Sequence, residues 1–99
     1  FVSGQIALHP ETNEIPEEFT AQCHQVLKNL QAILEASGSS LEHTVKVMIY
    51  MTDIDRFNEL NEIYARYLGS AKPARACVEV SRLPKGVLVE MDAVALIGE

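Results

Sequence analysis

Apolar and polar positions change period several times along the chain, and each change marks an element. Residues 44–52, "TVKVMIYMT", alternate strictly, with Val45, Val47, Ile49 and Met51 on one side and Thr44, Lys46, Met48, Tyr50 and Thr52 on the other. That is the period of a strand. Residues 72–80, "KPARACVEV", alternate too, dividing Ala74, Ala76, Val78 and Val80 from Arg75, Cys77 and Glu79. The small and branched set is expected to face the core. In residues 87–97, Val87, Val89, Met91, Ala93, Ala95 and Ile97 share one side, and Leu88, Glu90, Asp92, Val94 and Leu96 the other. "FVSGQI" opens the chain as a further strand.

Between these runs the period lengthens. Phe19, Cys23, Val26, Leu27, Leu30, Ile33 and Leu34 recur at three and four residues, the mark of one buried helical face. Pro16, Glu17 and Glu18 suit its first turn, and Gly38 its end. A second helix is capped by Asp53 or Asp55, has an inner stripe of Phe57, Leu60, Tyr64 and Tyr67, and stops at Gly69.

The order β-α-β-α-β-β predicts an α+β sandwich, one mixed β-sheet with two helices on one face. With 99 residues and no repeat or linker, residues 1–99 form a single domain. The last two strands, joined by "RLPKG", are expected to pair as a hairpin. Parity would then gather Arg75, Cys77, Glu79, Glu90 and Asp92 on one face with Met48, Tyr50, Val94 and Leu96. Such a mixed face is expected to be covered by another subunit, with Arg75 and Glu90 at the junction. The chain opens inside a strand without Met, which implies a preceding segment carrying a further strand and any targeting signal. No apolar run reaches the ~20 residues of a membrane span. The default expectation for compartment is cytoplasmic, or mitochondrial if a presequence has been removed.

Charge narrows the partners. Fourteen acidic and eight basic side chains leave a net charge of −6, which weighs against nucleic acid, whose binders draw affinity from neutralising phosphates. Yet Lys72, Arg75, Arg82 and Lys85 fall within 14 residues where Glu79 is the only acid. A small carboxylate fits that cluster better than a duplex. The two cysteines, Cys23 and Cys77, form no CxxC, and the three histidines are scattered, so no metal site is expected. Unpaired cysteines favour a reducing compartment.

Two readings of Arg75 stay open on pattern alone. Its planar guanidinium suits a bidentate grip on a carboxylate ligand, or a structural ion pair with Glu90 or Asp92. Glu90 is a candidate general base or water holder, or simply that partner. Cys77 has no histidine near it in sequence and reads more simply as a packing residue. Asn61 offers a side-chain amide to a ligand or to the backbone. Ser3 and Gly4 would let a ligand approach backbone N–H groups closely.

The segments "FVSGQIALHPET", "VKVMIYMTDIDRFNELNEIY" and "KPARACVEVSRLPKGVLVEMDAVAL" resemble the RidA family, also called the YjgF family, over essentially the whole chain. The resemblance implies a chorismate-mutase-like α+β fold, a homotrimer with clefts between subunits, and no cofactor or metal. It implies hydrolysis of reactive enamines and imines, such as 2-aminoacrylate, 2-iminopropanoate and 2-iminobutanoate, to 2-oxo acids and ammonia, a metabolite-damage-control activity. The family's carboxylate-binding arginine then falls on Arg75, and its water-associated glutamate on Glu90. Its pocket cysteine falls on Cys77, its site asparagine on Asn61, and its pocket-forming start on Ser3 and Gly4. A family tyrosine would lie before residue 1, and Ala7 departs from the usual proline. Relatives also include ligand-binding or regulatory trimers and proteins ascribed ribonuclease or translation-inhibiting activity, which stand as the alternatives.

Overall fold

A computed structural model describes residues 1–97. The period-two runs become four strands, β1 (Val2–Gln5), β2 (Thr44–Met51), β3 (Ala74–Glu79) and β4 (Val89–Ala95). The longer-period runs become two helices, α1 (Phe19–Ala36) and α2 (Phe57–Leu68). The chain order is the expected one. Both helices lie on one face of a mixed sheet, and α1 packs against α2, β4 and β1.

Periodicity locates most of the core. Val47, Ile49 and Met51 of β2 and Val89, Met91 and Ala93 of β4 are buried under Cys23, Val26, Leu27, Leu30 and Leu60 of the helices. Gln22 and Thr44 are the buried polar side chains among the described residues, and Gln22 is the one with partners. Its Nε2 donates to Pro16 O at 2.8 Å, and its Oε1 accepts from Leu88 N at 2.8 Å. One side chain thus ties the α1 approach to the entry of β4.

Local boundaries differ in small ways. Helix α1 starts at Phe19, so Pro16 and Glu17 precede it and Glu18 is a cap residue without a side-chain cap bond. Gly38, at φ 84°, follows the helix as a left-handed terminator. Asp53 caps a single 3-10 turn (Ile54–Arg56) ahead of α2, accepting from Asp55 N. The pairing of β2 with β4 is irregular between Thr44 and Lys46. That irregularity buries Thr44 and turns Val45 out to 43% exposure, against its expected inward position. Ile97, also expected inside, lies beyond β4 and is exposed.

The larger correction concerns β3. The sheet order is β1-β4-β2-β3, so β2 separates the last two strands and they form no hairpin. The physical reason is the connection. Helix α2 crosses over between β2 and β3, which sets them parallel and sends β3 to the edge. In that ladder Val47 is level with Arg75, Ile49 with Cys77 and Met51 with Glu79. Paired residues point to the same face, so Arg75, Cys77 and Glu79 project to the helix side. Ala74, Ala76 and Val78 take the other face with Lys46, Met48 and Tyr50. The expected parity of this strand is inverted. Every β3 residue except Cys77 is exposed, because an edge strand overhangs the core and burial does not choose its face.

Candidate functional site

Arg75 leaves β3 on the helix side and lies along α2. Its Nη1 donates to Asn61 Oδ1 at 2.7 Å. Its guanidinium carbon sits 4.5 Å from the centroid of the Tyr64 ring and 5.4 Å from that of Phe57. These three residues occupy positions i, i+4 and i+7 of α2, one stripe of a helix. Among the described residues the side-chain hydrogen-bond partner of Arg75 is therefore a neutral amide, and the alternative reading, an ion pair with Glu90 or Asp92, does not form within the chain. A cleft of about 240 Å³ lies between the end of α2 and the start of β3, lined by Asn61, Tyr64, Lys72 and Arg75 among others, with no carboxylate in its lining.

The backbone of β3 adds donors. Val80 N donates to Met51 O at 2.7 Å, which sets the phase of the parallel ladder. Ala76 and Val78 then direct N–H and C=O groups toward β2, while Arg75, Cys77 and Glu79 direct theirs to the free edge. The Cys77 N–H is thus presented beside the Arg75 side chain, one strand repeat (about 6.6 Å) along. The Cys77 thiol turns inward instead, with Sγ 3.3 Å from Met51 Sδ. Burial pushes its pKa up, against a smaller opposing pull from Arg75. A thiol held protonated in this way is a poor nucleophile. Glu79 accepts from Ile54 N at 2.8 Å and so anchors the turn before α2.

Glu90 lies elsewhere. It is level with Tyr50 across β2 and β4 and projects from the face away from the helices. Its carboxylate rests directly on Gly4: a methyl group at that glycine would overlap Glu90 Oε2. Ser3 and Gly4 fall where the β1–β4 register shifts, between Val2 and Gln5. On the same face Tyr50 Oη donates to Asp92 Oδ2 at 3.3 Å. The charge of Asp92 is the first cause, followed by burial, of a phenol pKa above its ordinary value. Val78, Met48, Tyr50 and Val94 leave this face partly apolar, with Val78 41% exposed.

The expected site residues therefore divide into two halves. Asn61, Arg75 and Cys77 stand together at the β3 edge, and Ser3, Gly4 and Glu90 stand together across β1 and β4. Phe57 and Tyr64 are legible in sequence as a helical stripe, but their role as a platform for Arg75 is not. Lys72, on the same cleft, reads in sequence only as part of a basic cluster. A larger hollow of about 470 Å³ beside His9 and Gln25 carries none of the expected site residues. Cys23 and Cys77 are both free thiols. Among the described residues no three His, Cys, Asp or Glu side chains converge as a metal site, and no helix is long and apolar enough to cross a membrane.

Comparison with known proteins meets this geometry. Residues 1–97 match the family described as endoribonuclease L-PSP. A RutC family protein of Pyrococcus horikoshii is 51% identical over 96 residues, covering 96% of this chain and 76% of that protein. The structure of RidA from the Antarctic bacterium Psychrobacter superposes with a TM-score of 0.93 at 45% identity, covering 96% of this chain and 77% of that one. The structure of Escherichia coli TdcF with bound serine superposes with a TM-score of 0.90 at 38% identity, covering 95% and 76%.

Proposed function

This chain belongs to the endoribonuclease L-PSP family, also known as the YjgF/RidA family, and on that premise we propose that it hydrolyses 2-imino carboxylates, formed from 2-enamine carboxylates, to 2-oxo acids and ammonia. One observation carries the reading: among the described residues, the side chains that hold the arginine at the open sheet edge are all neutral. Its charge is left for a guest anion, and the adjacent Cys77 N–H supplies a further donor. TdcF binds serine, a small molecule bearing a carboxylate, which supports a ligand of this size and charge.

The chemistry asks little of the protein. The enamine takes a proton at carbon and gives up one from nitrogen, becoming the imine. Water adds to the imine carbon, the C–N bond then breaks, and ammonia leaves with the 2-oxo acid. Arg75 clamps the carboxylate through parallel N–H···O bonds, each charge-assisted bond contributing roughly 1.5–3 kcal/mol. Fixing that end places the electrophilic carbon within reach of a positioned water. Glu90 holds or deprotonates the water. Because Arg75 and Glu90 project from opposite faces of one sheet, the working site takes Glu90, with Ser3 and Gly4, from a neighbouring copy. A closed ring of three copies brings the partly apolar open face of each against the next and repeats this junction three times.

The test is release of ammonia and 2-oxo acid from 2-iminopropanoate or 2-iminobutanoate generated in place by an amino-acid oxidase. The protein should accelerate release, and Arg75→Ala should lower kcat/KM roughly tenfold to hundredfold. An Arg75→Ala protein as active as the parent would overturn the clamp. The family's description as endoribonuclease gives a second reading, cleavage of RNA, favoured only by the basic cluster of residues 72–85. RNA binding would weaken steeply with added salt, whereas imine hydrolysis would change little.

A further inference from the structure

The contacts of Arg75 have a common chemical property. Two aromatic rings lie beneath the guanidinium and one amide oxygen meets its edge. A carboxylate at position 61 would hold an arginine more strongly, through two charge-assisted bonds. The helix supplies an amide there instead. The ring faces attract the cation through their quadrupole but bring no formal charge against it. The amide accepts from one of the five N–H donors of the guanidinium, and no other described side chain accepts from it. Tyr64 is itself a firm support, being buried and packed in the core, whereas Asn61 is exposed and makes no contribution to that core.

We propose that the α2 stripe Phe57–Asn61–Tyr64 is a positioning device, in which Asn61 orients Arg75 without neutralising it and acts on the substrate carboxylate only through that arginine. The inference rests on the proposed hydrolysis at the same site, and it changes the role of Asn61 from substrate ligand to positioning residue. An amide at position 61 fixes the direction of the cation. A carboxylate there would fix it too, but would compete with the guest.

The experiment uses the intact protein and its Asn61→Asp and Asn61→Ala variants, each first shown to fold by thermal melting and amide NMR. Side-chain 15N NMR reads the Arg75 guanidinium directly. Its rotation should be slowed in the parent and in Asn61→Asp, and freed in Asn61→Ala. Pyruvate binding should weaken roughly tenfold or more in Asn61→Asp, and recover as pH falls through titration of the introduced carboxyl. In imine hydrolysis the same variant should raise KM by a similar factor while kcat changes far less. Equal pyruvate affinity in the parent and Asn61→Asp, or equal guanidinium mobility in the parent and Asn61→Ala, overturns the inference. If the parent hydrolyses no imine, the functional reading falls separately, and the NMR and pyruvate arms still decide the role of Asn61.

Discussion

Arg75 and Glu90 point away from each other, from opposite faces of one sheet, with strand β2 between the strands that carry them. Strand spacing alone separates their backbones by roughly 9–10 Å, and the sheet itself stands between the side chains. Two groups proposed to act on one small molecule cannot do so within this chain. The proposed hydrolysis therefore requires the β3 edge of one copy to meet the open face of another.

Mixing inactive variants tests that arrangement. Arg75→Ala and Glu90→Gln proteins, each nearly inactive alone, are expected to regain activity when unfolded together and refolded as a mixture. In a ring of copies with head-to-tail contacts, about a quarter of the sites in a one-to-one mixture would combine an intact arginine with an intact glutamate. Imine hydrolysis near that fraction of the parent rate supports a shared site. A mixture no more active than its components overturns the shared site.

Gly4→Ala is expected to separate activity from stability. The added methyl would meet the end of the Glu90 side chain, which is flexible and can swing aside. Melting temperature should therefore shift by only about 2 °C, the scale of a small surface change. Hydrolysis should fall roughly tenfold or more, because a displaced carboxylate no longer places the water. A large loss of stability instead would show that the contact is part of the fold.

Tyr64 supplies a test in the opposite direction. Its hydroxyl is buried without a hydrogen-bond partner among the described residues, and burial raises the phenol pKa, with Arg75 pulling the other way. Tyr64→Phe keeps the ring under Arg75 and removes the unpaired group, so it should stabilise the protein by about 1 kcal/mol in urea unfolding. The sign of the pH effect follows from linkage. A phenol pKa raised on folding leaves stability intact below the unfolded value near 10, and loses it as pH rises through the folded value. The variant should tolerate alkali better than the parent, measured as the melting temperature between about pH 9 and 11.

The two thiols are expected to react unequally. Burial pushes the Cys23 pKa up to about 12, and its side chain is fully enclosed. Cys77 is shifted in the same direction for the same first cause but is only half-buried. Iodoacetamide at about pH 8 should label Cys77 slowly and Cys23 only on unfolding, as read by intact mass and peptide mapping. Rapid labelling of Cys77 would show an activated thiol and reopen its role in the chemistry.

The element order, the two helical faces and the core sides of β2 and β4 are legible in the residues themselves. Each rests on local periodicity, and each of those elements has one side pressed against the core. Small departures such as the exposed Val45 arise where the strand pairing slips by one residue, which no pattern within β2 announces. The candidate residues follow from a resemblance, but their division into two half-sites does not. That division depends on which strand neighbours which, and on the register of β3 against β2. Strand β3 lies at the edge, where both faces are exposed, so hydrophobicity does not fix its parity. Only the parallel crossover through α2, a long-range feature of the packed chain, turns Arg75 toward Tyr64 and away from Glu90.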